Sequence, residues 1–403
     1  MADNPLKSVE AALAAMLEGI TPLDGERLPC DQAAGRVLAE SVTARLDVPG
    51  FDNSAMDGYA LRAAEAGQVL PMIQRIAAGH PAAPLMPGGC ARIFTGGEIP
   101  PGADCVVMQE RTESRDTGIF IPEGIPVGDN IRRRGRDVAQ GSQLLGAGLK
   151  LEAAALGQLA GQGITEVVVC KRPRVALLST GDEIIDPGLP LAPGQIYNSN
   201  RAMLKRLLER FGAEMVMVES VPDDYAATCD ILKQAAQCAD VVISTGGVSV
   251  GEEDHVKAAL EELGQLDLWR LAMRPGKPLA LGRLPRDNGE TRFVGLPGNP
   301  VSGFVGAWIF LRPLIGALLG CPALEALPRI RARTAFSTSN GIRRHYMRVA
   351  LAFTEQGPVA NAFRDQNSAV LSSCVEANAL AVIPEQAEIA VGDEVECLWL
   401  VEA

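Results

Sequence analysis

Between residues 174 and 320 the sequence alternates short apolar runs rich in Val, Ile and Leu with longer amphipathic stretches, and few folds accept that pattern. Strands are expected at 175–179, 215–219, 241–244, 268–272 and 293–295, and helices at 201–211, 225–237, 255–263 and 300–319. Parallel neighbours need a crossover, so this order predicts a doubly wound α/β domain with a largely parallel sheet. Ligands of such sheets bind beyond the carboxyl ends of the strands.

Two Gly-rich loops fall at that edge. One reads Ser179-Thr180-Gly181-Asp182-Glu183 and the other Ser244-Thr245-Gly246-Gly247-Val248-Ser249-Val250-Gly251-Glu252-Glu253-Asp254. Backbone N–H groups and hydroxyls in such loops suit an anion, whereas their carboxylates repel a bare phosphate unless a divalent cation intervenes. Together they point to a phosphorylated ligand with Mg²⁺. Thr180 or Asp182 can also be read as a helix cap, but Asp186-Pro187-Gly188 stops a helix almost at once. Cations follow at the same edge: Arg270, then Arg274 and Lys277 in Met273-Arg274-Pro275-Gly276-Lys277-Pro278, suited to phosphate or another oxyanion. Gly295-Leu296-Pro297-Gly298-Asn299-Pro300 reads as strand, rigid turn and helix start, with Asn299 suited to the N-cap.

The flanks differ in character. Asn4 and Pro5 suit the start of a helix that carries Val9, Leu13, Met16, Leu17 and Ile20 at helical spacing. From 44 to 139 short β-type runs alternate with Gly and Pro turns, and a helical stretch returns at 152–162, so a β-rich insertion into the first domain is expected. Within it, Asp57 sits in Asp52-Asn53-Ser54-Ala55-Met56-Asp57-Gly58-Tyr59 and Thr95 beside Gly96-Gly97. Each segment reads as plain turn geometry or as a ligand-facing loop. The last stretch alternates in 330–334 and 346–351, which predicts a small β-barrel or sandwich.

Composition excludes several classes. A net charge of −12 argues against a general nucleic-acid or membrane surface, although Arg132-Arg133-Arg134-Gly135-Arg136 forms a local basic cluster. The apolar run from 301 to 319 contains Arg312 and Pro313, which suits a core helix better than a membrane span. Nine singly placed cysteines without a CxxC, and three histidines, argue against a zinc site and for reduced thiols in a cytoplasmic protein. Residues 1–7 lack the pattern of a signal peptide.

The strings FDNSAMDGYA, RIFTGG with PPGADCVVMQE, IRRRGRD, STGDE, STGGVSVGEEDH, MRPGKPLALG and GLPGNPVS resemble, in that order, the molybdopterin molybdenumtransferase family of MoeA and the gephyrin E domain. The resemblance implies four domains: an elongated helical domain (1–43 and 140–173), an inserted β-rich domain (44–139), the α/β molybdopterin-binding domain (174–324) and a C-terminal β-barrel (325–403). It implies insertion of molybdate into adenylylated molybdopterin with release of AMP, using Mg²⁺, in a homodimer whose sites join the α/β domain to the partner's inserted domain. Carried over by motif, the catalytic residues are Asp57, Thr95, Asp137, Glu183, Asp223 and Asp254, with Glu183 and Asp254 toward the metal. The substrate-binding residues are Gly246, Gly247, Ser249, Gly251, Arg270, Arg274, Lys277, Pro297, Pro300, Arg348 and Ser368. The family often has lysines where this chain has Arg270 and Arg274, and a planar guanidinium holds an oxyanion differently from an ammonium. Molybdopterin adenylyltransferase is an expected partner as well as the alternative reading for the α/β part alone. A gephyrin-like scaffold is the other alternative, and it would need an exposed apolar groove.

Overall fold

The computed structural model describes residues 6–247 and 255–400. Its centre is a six-stranded sheet in the order Glu214–Val221, Arg174–Thr180, Val241–Thr245, Gly289–Leu296, Pro278–Arg286, Gln265–Arg270. The first four strands are parallel, as the strand–helix alternation predicts. The expected helices are present as Ser199–Phe211, Tyr225–Cys238, His255–Leu263 and the long segment from Pro300 to Leu319. That last segment is apolar enough to cross a membrane by length and composition, but 89% of its apolar window is buried inside the molecule. It includes one π turn, Ala307–Leu311. Pro313 has no N–H to offer the carbonyl of Ile309, and a wider turn accommodates that loss.

The far side of the sheet departs from expectation. Pro278–Arg286 is a strand that the sequence reading does not contain, and it pairs antiparallel with Gly289–Leu296 on one side and Gln265–Arg270 on the other. Pro278, Gly282 and Pro285 weaken its β pattern, yet the Asp287-Asn288 link before Gly289 (φ +112°) is a tight hairpin signal. The expected strand at 268–272 shifts to Gln265–Arg270, because Ala272 donates its N–H to Lys7 instead.

The N-terminal cap also moves. Asn4 and Pro5 lie outside the described residues, and the helix Val9–Leu17 is capped by Ser8, whose hydroxyl accepts from the Ala11 N–H at 3.1 Å. Lys7 is drawn into pairing with the α/β domain: its N–H donates to the Arg270 carbonyl, and its ammonium lies 4.0 Å from the centre of the Trp269 ring. Val9, Ala12 and Met16 then bury into the same core as Leu314, Ile315 and Leu318.

Gly25–Pro29 pairs with Glu166–Cys170, and Val42–Thr43 with Gln143–Leu145, around one short helix, Ala153–Gly161. Between these pairings the chain forms a four-stranded sheet (Met72–Ile76, Cys90–Ile93, Gly58–Leu61, Cys105–Met108) with apolar clusters of its own. At the other end five strands close a barrel: Arg344–Thr354, Gly357–Ala362, Arg329–Thr334, Glu394–Trp399 and Ala379–Ile383, which pairs back to Arg344–Thr354. The barrel is stitched to the α/β domain where Met273–Arg274 pairs with Arg344 and His345. All nine cysteines are free, six of them buried.

Candidate active site

Two adjoining cavities open at the carboxyl ends of the parallel strands. The larger, of about 1020 Å³, is lined by Ser179 to Ile184, Asp223, His255 and the start of the Ser199–Phe211 helix. The smaller, of about 440 Å³, is lined by Arg274, Lys277, Arg343 and Ser368. Gly246, Gly247, Gly298 and Asn299 border both, so the second Gly-rich loop and the start of the Pro300 helix form the shared wall.

Glycine is required in this wall by close approach. At Gly181 (φ +121°) a Cβ would lie 2.5 Å from a Glu183 carboxylate oxygen, so the missing side chain is what lets that carboxylate fold back over the loop. At Gly246 (φ +87°) a Cβ would lie 2.6 Å from the Thr180 hydroxyl, which itself donates to the Thr245 carbonyl. The two Gly-rich loops are thereby packed onto each other.

The larger cavity is acidic. Asp182, Glu183 and Asp223 are exposed along it. The Asp223 N–H donates to an Asp182 carboxylate oxygen at 3.3 Å, and His255 Nε2 stands 3.5 Å from an Asp223 carboxylate oxygen. Among the described residues no group of three or more His, Cys, Asp or Glu is assembled to cage a metal. Ser249, Gly251 and Asp254 lie outside the described residues.

The smaller cavity is cationic. Arg274 is exposed and Lys277 half-buried in its wall, joined by Arg343 from the barrel side. Behind that wall Arg348 is fully buried. Its Nε donates to the Ser373 hydroxyl and one Nη to the Asn367 carbonyl, so it fixes the 366–368 loop from beneath rather than lining the cavity. Desolvation, then neighbouring Arg274, Arg348 and Arg343, pushes the buried His345 down to about 3, leaving a neutral ring among arginines. Arg270 ends its strand beside the cluster but does not line either cavity. Pro297 borders the smaller cavity and Pro300 the larger. Asn299 precedes the helix without a side-chain capping bond, so its expected cap role is not made by its amide.

Asp57 and Thr95 come together in the inserted domain. One Asp57 oxygen accepts both the Thr95 N–H (2.8 Å) and its hydroxyl (2.9 Å). These bonds, backbone first, hold the carboxyl below the usual range. Asp137 is exposed at the end of the arginine run, and its N–H donates to the Val48 carbonyl. In that run Arg133 pairs with Asp52 and Arg134 with Asp47, so the basic cluster is partly neutralised within its own domain. None of the residues lining the two cavities belongs to 44–139, so within one chain the Asp57–Thr95 pair stands apart from Glu183.

Residues 7–163 match the MoeA N-terminal region (domain I and II), 176–317 a probable molybdopterin binding domain, and 331–400 the MoeA C-terminal region (domain IV). The chain belongs to the MoeA family. Among MoeA-type relatives, the molybdopterin molybdenumtransferase of Haemophilus influenzae is 37% identical over 396 residues, covering 96% of this chain and 97% of that one. The enzyme of that name from Nostoc sp. is 38% identical over 364 residues, covering 87% and 83%. A solved molybdopterin biosynthesis MoeA protein from Pyrococcus horikoshii superposes with a TM-score of 0.82 at 27% identity, covering 98% of this chain and 100% of that one.

Several lining residues of this MoeA member escaped the sequence reading. Asn198, Asn200, Arg343, Gln366 and Asn367 border the cavities. Asn198 and Asn200 carried a signal, since an Asn-Ser-Asn run before an amphipathic helix is a cap site. Arg343 and Gln366 carried none, because only the barrel's packing brings them to the sheet edge.

Proposed function

We propose that this chain is a molybdopterin molybdenumtransferase, which inserts molybdate into adenylylated molybdopterin and releases AMP. The observation that carries the reading is a cationic cavity and an acidic cavity on either side of one Gly-rich wall, and that wall lies in the segment matched to a probable molybdopterin binding domain. Molybdate is a tetrahedral dianion, which suits Arg274, Lys277, Arg343 and the Ser368 hydroxyl in the smaller cavity. The N–H groups of the shared wall suit the pyrophosphate, whose cleavage frees AMP. Arg348 keeps the Ser368 loop in place beneath.

The exposed carboxylates fit a hard cation with oxygen ligands. Glu183 would meet Mg²⁺ without a cage of carboxylates around it among the described residues, as expected for an ion that keeps waters and takes its other ligands from substrate phosphates. When bound it supplies charge neutralisation between those carboxylates and the phosphates. We read the assembly as a homodimer, in which the partner's inserted domain brings an Asp57–Thr95 pair to each site. The free, largely buried cysteines support a cytoplasmic location, and the adenylylated substrate calls for a molybdopterin adenylyltransferase as supplier.

The test mixes purified protein with adenylylated molybdopterin, molybdate and Mg²⁺ and follows AMP. Molybdate-dependent release supports the reading, and none above a protein-free control sinks it. A scaffold role is the second reading, favoured by a cleft of about 590 Å³ lined by Leu13, Trp308, Leu327 and Val382. Full restoration of cofactor synthesis in cells by a folded Glu183→Ala variant would move the assignment to that class.

A further inference from the structure

Arg92 opens the Arg92-Ile93-Phe94-Thr95-Gly96-Gly97 string, and the reaction above leaves it unused. It is half-buried in the strand Cys90–Ile93, opposite Tyr59 on one neighbouring strand and Arg75 on the other. One Nη donates to the Gly58 carbonyl at 2.9 Å, and the other donates to the Gln109 side-chain oxygen. Gln109 in turn donates its backbone N–H to the Asp57 carbonyl at 3.1 Å. The guanidinium carbon stands 4.7 Å from the centre of the Phe94 ring and 5.2 Å from that of Tyr59.

These contacts bracket both members of the Asp57–Thr95 pair. Gly58 and Tyr59 follow Asp57 directly, and Phe94 directly precedes Thr95. Thr95 spends two bonds on a single Asp57 oxygen, so the direction of the second oxygen follows from where the Thr95 turn sits relative to Asp57. Thr95 is exposed and Asp57 only half-buried, so burial alone does not hold the two turns in register. A guanidinium can, because its rigid plane bonds a carbonyl and an amide at once while its face lies against a ring. The Arg92 charge also adds to the Thr95 bonds that hold the Asp57 carboxyl below its usual range. We infer that Arg92 is the positioning residue of the Asp57–Thr95 pair, clamping the backbone after Asp57 to the ring before Thr95 so that the carboxylate meets substrate in one direction. The use of the pair rests on the molybdenumtransferase reading, whereas the clamp is a property of one chain.

The experiment compares Arg92→Gln, Arg92→Lys and Arg75→Gln in the full-length protein by backbone hydrogen exchange, melting and molybdate-dependent AMP release. Arg75 lies 4.9 Å from the same Phe94 ring, so Arg75→Gln removes a cation there and leaves the Gly58 and Gln109 bonds in place. Exchange at the Thr95 amide reports its bond to Asp57. It should rise about tenfold or more in Arg92→Gln, as in Asp57→Ala, while the amides of Cys90–Ile93 and Cys105–Met108 stay protected. In the same variant kcat should fall about tenfold or more with KM little changed. Arg92→Lys should recover little of either, because an ammonium lacks the fork, and Arg75→Gln should match wild type. If Arg92→Gln melts too low to compare, Gln109→Ala decides: it cuts one arm of the clamp at an exposed side chain and should give the same Thr95-selective rise at smaller size. Wild-type exchange at Thr95 in these variants overturns the inference. So does exchange rising throughout residues 58–108, which marks a general brace, and so does full rescue by lysine, which marks a charge effect. Thr95-selective exposure with undiminished AMP release overturns it too, since the pair would then not need its direction. Thr95-selective exposure in a protein whose wild type releases no AMP sustains the clamp and removes the molybdenumtransferase reading alone.

Discussion

Replacing Gly181 by Ala isolates the geometry of the Glu183 carboxylate from its charge. The new Cβ would stand 2.5 and 2.8 Å from the two Glu183 oxygens, well inside contact distance, at a backbone φ of +121°. The backbone term costs roughly 1–3 kcal/mol, as for other residues held in sparsely populated regions. Because Glu183 is exposed, its side chain can swing away, so the steric term becomes displacement of the carboxylate by about an ångström or more. A misplacement of that size at a reacting centre costs about a hundredfold in rate. The assay is molybdate-dependent AMP release across a Mg²⁺ titration, beside a melting curve, with Glu183→Gln as the unstrained comparison. Both variants should lose about a hundredfold in kcat and need more Mg²⁺, whereas Gly181→Ala alone should melt a few degrees lower, about 2–4 °C per kcal/mol for a domain of this size. A Gly181→Ala enzyme that melts early but turns over normally would refute the argument that this glycine exists to place the carboxylate.

Three further outcomes are expected. Mixing inactive Asp57→Ala and Glu183→Ala subunits and allowing exchange should restore activity to about a quarter of wild type, since random pairing gives one intact site in half the dimers; no recovery despite proven exchange places both residues in one chain's site. Arg348→Ala should destabilise by about 3 kcal/mol through the lost bonds to Ser373 and the Asn367 carbonyl, and Arg348→Lys should not restore it because an ammonium lacks the guanidinium's fork; a melting curve like wild type contradicts this. His345, pushed from 6.5 down to about 3, binds its proton more readily in the unfolded chain, so its contribution to stability is complete above pH 6.5 and falls progressively as pH drops toward 3. Melting temperatures from pH 7.5 to 4.5 should therefore decline less steeply for His345→Asn than for wild type, and parallel profiles would contradict that assignment.

Much of this protein is legible in one dimension because its rules are local. Hydrophobic periodicity set the parallel strands and their helices, since burying one helix face or both faces of a strand dictates residue order directly. The Gly-rich loops could be placed at the strand ends for the same reason, and with them Thr180, Glu183, Gly246 and Gly247 at the cavities. What the sequence could not decide depends on partners distant along the chain. The cap at Ser8 follows from Lys7 pairing with Leu271, and the Pro278–Arg286 strand is held by two neighbours despite its prolines. Arg348 has the residue type of a ligand contact, yet barrel closure buries it beneath the loop it supports, while the same closure carries Arg343 to the cavity wall. The free amide atoms of Asn198 and Asn200 emerge only when each side chain has spent its other end on the Arg201 N–H and the Gly298 carbonyl. Periodicity is a property of neighbours in sequence; which polar atoms remain unspent is a property of the packed whole.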